Sequence, residues 1–80
     1  MDLEIITPEK QLFKGEVKLV QVPGKSGSFE VLNNHAPIIS ILTGGTIKII
    51  TDKDKKETVQ INTGIIEVKT NKITILALVG

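Results

Sequence analysis

The chain is predicted to be an all-β protein, either a sandwich or a barrel, and three observations predict it. Ile, Val and Thr are abundant in its 80 residues, and side chains branched at Cβ suit a pleated, half-buried surface. Short apolar runs alternate with Gly, Pro, Asn and Asp, which is the pattern of short strands joined by turns. No stretch sustains a 3.6-residue apolar period, so no long helix is expected.

Eight or nine short strands are expected in order along the chain. Their predicted ranges are 3–7, 11–13, 15–22, 28–32, 38–42, 46–51, 56–62, 64–70 and 72–79. The turn signals between them are Thr7-Pro8, Pro23-Gly24, Asn33-Asn34, Gly44-Gly45, Asp52 to Lys55, Thr63-Gly64 and Asn71. Gly and Pro free or fix φ at such positions, while Asn and Asp tolerate left-handed backbone. This spacing predicts one small domain over residues 1–80.

The alternation of apolar and polar residues predicts which side of each strand is buried. Val59 and Ile61 alternate with polar neighbours, as expected for a strand with one solvated face. The alternation breaks within 15–22, which predicts a β-bulge or a change of face. In the strand 28–32, Phe29 and Leu32 are expected to be core anchors.

More aliphatic side chains are present than one sandwich interior can hold. The residues left for outer surfaces are Ile6, Ile38 or Ile39, Leu42, Ile65, Leu76 and Leu78. Scattered exposed aliphatic residues are normal, whereas a contiguous patch marks an interface with a partner. A partner interface is therefore expected, with burial of strand edges under loops as the alternative.

Composition excludes several classes of function. The net charge is +1 and the basic residues are all Lys, with two Phe and no Tyr or Trp, so no basic aromatic surface for nucleic acid is expected. The chain has no Cys, and no apolar run approaches the ~20 residues of a membrane span. The N-terminal stretch is acidic where a signal peptide is basic. We expect a soluble monomer in isolation, with any membrane association made through a partner.

Three short motifs are considered as candidate ligand-binding, modification or catalytic sites. Gly24-Lys25-Ser26 lacks the upstream glycine and the following helix of a phosphate-binding loop. Asp52-Lys53-Asp54 fails as a calcium loop, but an acid beside a lysine in a hairpin also resembles a lipoyl or biotinyl carrier domain modified at Lys53. His35 is the chain's only His, so neither a metal site nor acid–base catalysis is expected. The ring of His35 is expected either to hydrogen-bond to the backbone in a turn or to contact a partner protein.

The stretch from Val17 to Pro37 carries a family resemblance. It reads Val17-x-x-Val20-x-x-Pro23-Gly24-x-x-Gly27-x-Phe29-x-Val31-Leu32-x-x-His35-Ala36-Pro37. This pattern resembles the N-terminal domain of the epsilon subunit of F-type ATP synthases, and the agreement continues through Gly45-x-Ile47-x-Ile49, Thr63 to Val68 and Ile73 to Ala77. The resemblance implies an antiparallel β-sandwich of two roughly five-stranded sheets.

The resemblance also implies a function. In that family the domain is a non-catalytic part of the rotor, or central stalk, of a proton-translocating ATP synthase, and it links the gamma subunit to the polar loops of the membrane c-ring. By this likeness the loop residues Lys25, Ser26, Ser28, Glu30 and His35 are expected to face the c-ring. The residues expected to face gamma are Thr7, Ile39, Ser40 and Leu42. No cofactor and no catalytic residue is implied.

The chain departs from the family pattern at three places. Glu30 stands where many members have Gly, and Asn33-Asn34 stands where many have Pro-Gly or Pro-Asn. The sequence ends at Gly80, where most bacterial members continue into a two-helix hairpin that can inhibit ATP hydrolysis. Whether this sequence is a piece of a longer protein or a naturally short member, inhibition and nucleotide sensing through that hairpin are expected to be absent. The chain's expected location is the cytoplasmic face of a bacterial membrane, held there through the complex, with a plastid thylakoid as the weaker alternative.

Overall fold

The computed structural model describes residues 1–79, and every regular element in that range is a β-strand. The strands are β1 (Asp2–Ile6), β2 (Gln11–Gly24), β3 (Gly27–Leu32), β4 (Ile38–Leu42), β5 (Gly45–Thr51), β6 (Lys56–Ile61), β7 (Thr63–Lys69) and β8 (Lys72–Leu78). The predicted all-β fold is confirmed. The two predicted strands at 11–13 and 15–22 form one long strand, β2, which continues to Gly24.

The hydrogen-bonded strand order is β1-β8-β7-β4-β2-β5-β6, with β3 on β2 and a second contact between β1 and β2. The first half of β2 pairs with β1, and its second half pairs with β3 and β5. One layer of the sandwich therefore contains β1, β8, β7 and β4, and the other contains β3, β2, β5 and β6. The layers share β2 instead of forming separate sheets, and one pair, β1 with β8, is parallel.

A bulge in β2 lets one strand serve the core along its whole length. The register with β5 shifts between Val17 and Leu19, and Val17 and Val20 are both buried. The extra residue resets the alternation, so that Val20 and Val22 face inward after it. The break in alternation predicted for 15–22 is thus confirmed as a bulge.

The core consists of aliphatic side chains, and no polar side chain is buried among the described residues. Its fully buried members include Leu3, Ile5, Val31, Ile66 and Ile75, which come from both layers. In β3, Phe29 packs partly buried against this core, whereas the prediction that Leu32 is a core anchor is wrong. Leu32 is 49% exposed because Val31 takes the inward position and successive side chains on a strand point to opposite faces.

Three polar turns adopt the left-handed backbone that their residue types favour. Asn34, Asp54 and Asn71 have φ values of 65°, 62° and 54°. Asn and Asp tolerate this region because their short side chains can bond to nearby backbone. Each residue lies at a turn that the sequence predicted, between β3 and β4, β5 and β6, and β7 and β8.

Candidate functional site

The outer side of the layer β1-β8-β7-β4 carries a row of aliphatic side chains. Strand register aligns Ile6 with Leu76, Leu76 with Ile65, and Ile65 with Ile41. Ile41, Ile65 and Leu76 are about half exposed, as is Leu78 beside them. We call Ile6, Ile41, Ile65, Leu76 and Leu78 the apolar face. Residues from four strands form this contiguous patch, so it is a surface built by the fold and not a scatter of single residues.

A groove of about 550 Å³ runs over the apolar face. Thr7 and Pro8 border it at the end of β1, and Thr63, Gly64 and Ala77 complete its lining. The two hydroxyls are already engaged, since Thr7 Oγ1 donates to the Lys10 carbonyl at 3.2 Å and Thr63 Oγ1 donates to the Leu42 carbonyl at 3.3 Å. The groove therefore offers apolar contact, which suits aliphatic or aromatic side chains of a partner.

Of the four residues predicted to face gamma, two lie on the outer surface and two on the inner side of β4. Thr7 borders the groove, and Ile39 is 74% exposed on the same outer side of β4. The expectation that Leu42 lies on an outer surface is wrong, because it is 1% exposed in the core, and Ser40 shares its inward parity. Ile41 was missed, although alternation from Ile39 in Ile38-Ile39-Ser40-Ile41-Leu42 could have identified it.

The predicted ring-facing loop forms the tip of the hairpin of β2 and β3. Gly24 pairs with Gly27 across a turn made by Lys25 and Ser26. Only glycine fits at position 24, since a Cβ there would lie 2.6 Å from the Gly27 carbonyl oxygen and 2.8 Å from the Phe29 ring. The side chains of Lys25, Ser26, Ser28 and Glu30 are all exposed. This hairpin tip is polar and tightly built.

A second depression, the hairpin cleft, lies between this tip and β4. It has a volume of about 600 Å³ and is lined by residues 24–29 and 39–41. His35 does not line it. The imidazole Nδ1 lies 2.7 Å from the Ala36 carbonyl oxygen, and the ring borders a separate small depression shared with Thr70 and Asn71. The predicted backbone contact of the His35 ring is thus confirmed, whereas the structure does not bring His35 into the cleft with Lys25.

Elsewhere on the described surface, few side chains are arranged to bind a metal ion or have a shifted pKa. Residues 1–79 contain no group of three or more His, Asp or Glu side chains arranged to hold a metal ion. Lys18 has a raised pKa because its ammonium donates to the Asp54 carboxylate at 2.7 Å. The same residues contain no helix that is long and apolar enough to cross a membrane.

Over residues 1–79 the chain is an all-strand β-sandwich domain with an apolar outer face and a polar hairpin tip. The family model "ATP synthase, Delta/Epsilon chain, beta-sandwich domain" matches residues 1–79, and the chain belongs to this family. The resemblance read from the sequence is thereby confirmed.

Curated relatives agree with the family match. An ATP synthase epsilon chain from a Nitratiruptor species is 45% identical over 76 residues, covering 95% of this chain and 59% of the relative. One from Chlorobaculum tepidum is 39% identical over 74 residues, covering 92% of this chain and 84% of the relative. The chain thus spans about three fifths of the Nitratiruptor protein and most of the Chlorobaculum protein.

A solved structure shows the same fold. A chain of the Euglena gracilis mitochondrial ATP synthase, in a structure of OSCP, F1 and the c-ring, superposes with a TM-score of 0.88 at 22% identity, covering 95% of this chain and 49% of that one. The family match gives no support to a carrier domain. Lys53 lies exposed in the turn between β5 and β6, as is usual for a solvated hairpin turn.

Proposed function

We propose that this chain is a non-catalytic rotor subunit of a proton-translocating F-type ATP synthase. In this role it links the gamma subunit to the c-ring and supports the coupling of proton flow to ATP synthesis. Residues 1–80 act as one domain, held at the cytoplasmic face of a bacterial membrane through the complex. The proposal is supported by the family match and by relatives named ATP synthase epsilon chain.

The apolar face is the proposed contact with gamma. Its half-exposed aliphatic side chains gain free energy when a partner removes them from water, by roughly 25 cal/mol for each Å² of apolar surface. Thr7 and Ile39 extend this contact at its border. Leu42 lies in the core and Ser40 shares its inward parity, so neither side chain is a direct part of this contact.

The hairpin tip is the proposed contact with the polar loops of the c-ring. Lys25, Ser26, Ser28 and Glu30 present exposed polar side chains there, and His35 adds a contact from the neighbouring corner. Contacts of this type resemble the rim of an interface, where a single exposed ion pair contributes only ~0–1 kcal/mol. The gamma contact therefore dominates the affinity, and the tip determines how the subunit is oriented on the ring.

The contiguous apolar face is the observation that carries the proposal, and a charge placed on it tests the proposal. Leu76→Asp introduces a carboxylate that would be buried without a partner in the gamma interface, which is strongly unfavourable. Capture of the variant by tagged gamma subunit should be lost, while its circular dichroism and melting curve should remain close to wild type.

Thr58→Asp is the matched control, because Thr58 is exposed on β6 in the other layer. This variant should bind gamma normally. Vesicles that contain the complex with Leu76→Asp should lose proton-driven ATP synthesis. Normal gamma capture by a folded Leu76→Asp variant would overturn the proposed contact.

A further inference from the structure

The hairpin cleft is bordered by a strand edge that lacks a strand partner for most of its length. On one side β4 pairs with β7 throughout, from Ile38 opposite Val68 to Leu42 opposite Gly64. On its other side, within residues 1–79, β4 is paired with a strand only at Leu42, which lies opposite Gly24. Two backbone hydrogen bonds flank that pair, from Lys25 N to the Ile41 carbonyl and from Thr43 N to the Pro23 carbonyl.

These bonds establish which backbone groups of β4 point into the cleft. The Ile41 carbonyl points away from β7, because it accepts from Lys25 at the tip of the hairpin. The backbone groups of a strand change sides from one residue to the next, so residues two apart point the same way. The N–H and the carbonyl of Ile39 therefore point to the same side as those of Ile41. Their side of the strand is the one that borders the cleft, where residues 39–41 contribute to the lining.

The lining of the cleft is rich in donors. Lys25 is its one charged side chain, and the hydroxyls of Ser26, Ser28 and Ser40 accompany it. The nearest acids on the flanking strands lie outside this lining. Glu30 is on β3 opposite Gln21, and Glu67 is on β7 opposite Ile39. A positively charged, hydroxyl-bearing depression beside an open strand edge favours a segment that supplies both main-chain groups and negative charge.

We propose that the hairpin cleft binds an extended, carboxylate-bearing segment of a partner protein as a short added strand on β4. The main chain of the segment pairs with the N–H and carbonyl of Ile39, and its carboxylate contacts Lys25. The cleft lies between the tip proposed for the c-ring and the strand beside the proposed gamma contact. The inference goes beyond the proposed function, because it concerns the conformation and charge of the bound segment and does not depend on the apolar face.

The test uses the isotope-labelled 80-residue chain and two capped peptides, Ser-Val-Glu-Val-Ser and Ser-Val-Lys-Val-Ser. In amide NMR titrations, the acidic peptide should shift the signals of Lys25, Ile39 and Ile41, while signals from the polar strand β6 stay unchanged. An exposed ion pair contributes little, so we expect the acidic peptide to bind about fivefold more tightly than the basic one. Lys25→Glu should reverse this preference.

Main-chain pairing is tested by removing a single donor. Ile39→Pro deletes the N–H that points into the cleft and spares the ladder with β7, since proline is tolerated where an edge-strand N–H is not bonded within the sheet. This variant should lose binding of both peptides, whereas Ile39→Val, which keeps the N–H with a similar side-chain volume, should retain it. An acidic peptide N-methylated at its central residue makes the same test on the ligand side if Ile39→Pro fails to fold.

Three results would overturn the proposal. One is equal affinity for the acidic and basic peptides. Another is a set of shifts confined to Ile6, Ile65, Leu76 and Leu78, the members of the apolar face outside the cleft, which would show that the peptides bind as apolar ligands. The third is an absence of shifts with the acidic peptide at about 10 mM, since even a weak millimolar site would be partly filled at that concentration.

Discussion

The two outer faces of the sandwich differ in how much aliphatic surface they expose, although the same kind of strand builds both. On one layer a cross-strand row reads Ile6, Leu76, Ile65, Ile41. On the other layer one row reads Glu30, Gln21, Lys48, Thr58, and the aliphatic row beside it, Leu32, Leu19, Ile50, is strongly exposed only at Leu32. The inner sides of both layers supply an aliphatic core, with Phe29 and Ser40 as partly buried exceptions. The fold itself thus requires only the inner pattern, and the difference between the outer faces reflects something other than folding.

A polar outer face is what an antiparallel sheet normally presents to water, and the row from Glu30 to Thr58 conforms to it. The apolar face departs from that norm at four strands in register, which exposes aliphatic surface that the isolated chain gains nothing from exposing. Such a departure is expected at an interface with a permanent partner, where the surface is covered in the assembled complex. The contrast predicts that the outer residues matter for assembly and the inner ones for stability.

The largest expected difference in stability is between alanine variants of two adjacent isoleucines of β7. Ile66 is fully buried, whereas Ile65 is 46% exposed on the apolar face. Ile66→Ala removes buried methyl groups and leaves a cavity, which costs ~2–5 kcal/mol. Ile65→Ala should cost within about 1 kcal/mol, as is usual for surface substitutions. Urea titration of both variants measures the difference, and equal losses would show that the apolar face is part of the folding core.

The strand pattern was predictable from the sequence because it depends on local alternation. Ile61 is buried and Val59 packs against the core, as their alternation predicted, and the irregularity in β2 was visible as a break in parity. Leu42 was misassigned because Ile38-Ile39-Ser40-Ile41-Leu42 contains four aliphatic residues around one serine. Local sequence then does not say which parity faces the core, and the pairing of β4 with β7 decides it.

The candidate surfaces were less predictable than the strands. Ile65, Leu76 and Leu78 were expected on an outer surface, but the sequence does not state that they align with Ile6 and Ile41. That alignment depends on the parallel pairing of β1 with β8, a contact between the two ends of the chain. The cleft beside β4 likewise depends on a missing strand partner among the described residues, which only the assembled topology reveals.

An intermediate loss of stability is expected from a substitution at the floor of the groove. A Cβ on Gly64 would lie 2.7 Å from the Leu76 carbonyl oxygen, so Gly64→Ala must push β8 away from β7. We expect a loss of ~1–3 kcal/mol, the usual range for overpacking, together with weaker gamma capture because Leu76 and Leu78 move. Gly15→Ala is the control, since its Cβ would meet only the Phe13 ring at an ordinary 3.6 Å. Equal melting temperatures for the two variants would show that the strands separate freely at this point.

The smallest effect is expected on the polar side, at the ion pair of Lys18 with Asp54. Lys18 lies at the bulge of β2, and its ammonium reaches the turn between β5 and β6 at 2.7 Å from Asp54 Oδ1. Both side chains are more than half exposed, so solvent screens the pair and its loss should barely change the urea midpoint.

The hydrogen bond to Asp54 raises the pKa of Lys18 above 10.5, and a raised lysine pKa stabilises the folded state at every pH below that value. The contribution is lost as pH rises through the raised pKa. The difference in midpoint between wild type and Lys18→Met should therefore be small and constant at pH values below the ordinary lysine pKa, and should disappear as pH rises through the raised pKa. Asp54→Asn and the double variant complete a cycle that isolates the pair from the other lysines. A difference that persists unchanged above the raised pKa would mean that Lys18 stabilises the bulge through its alkyl chain and not through its charge.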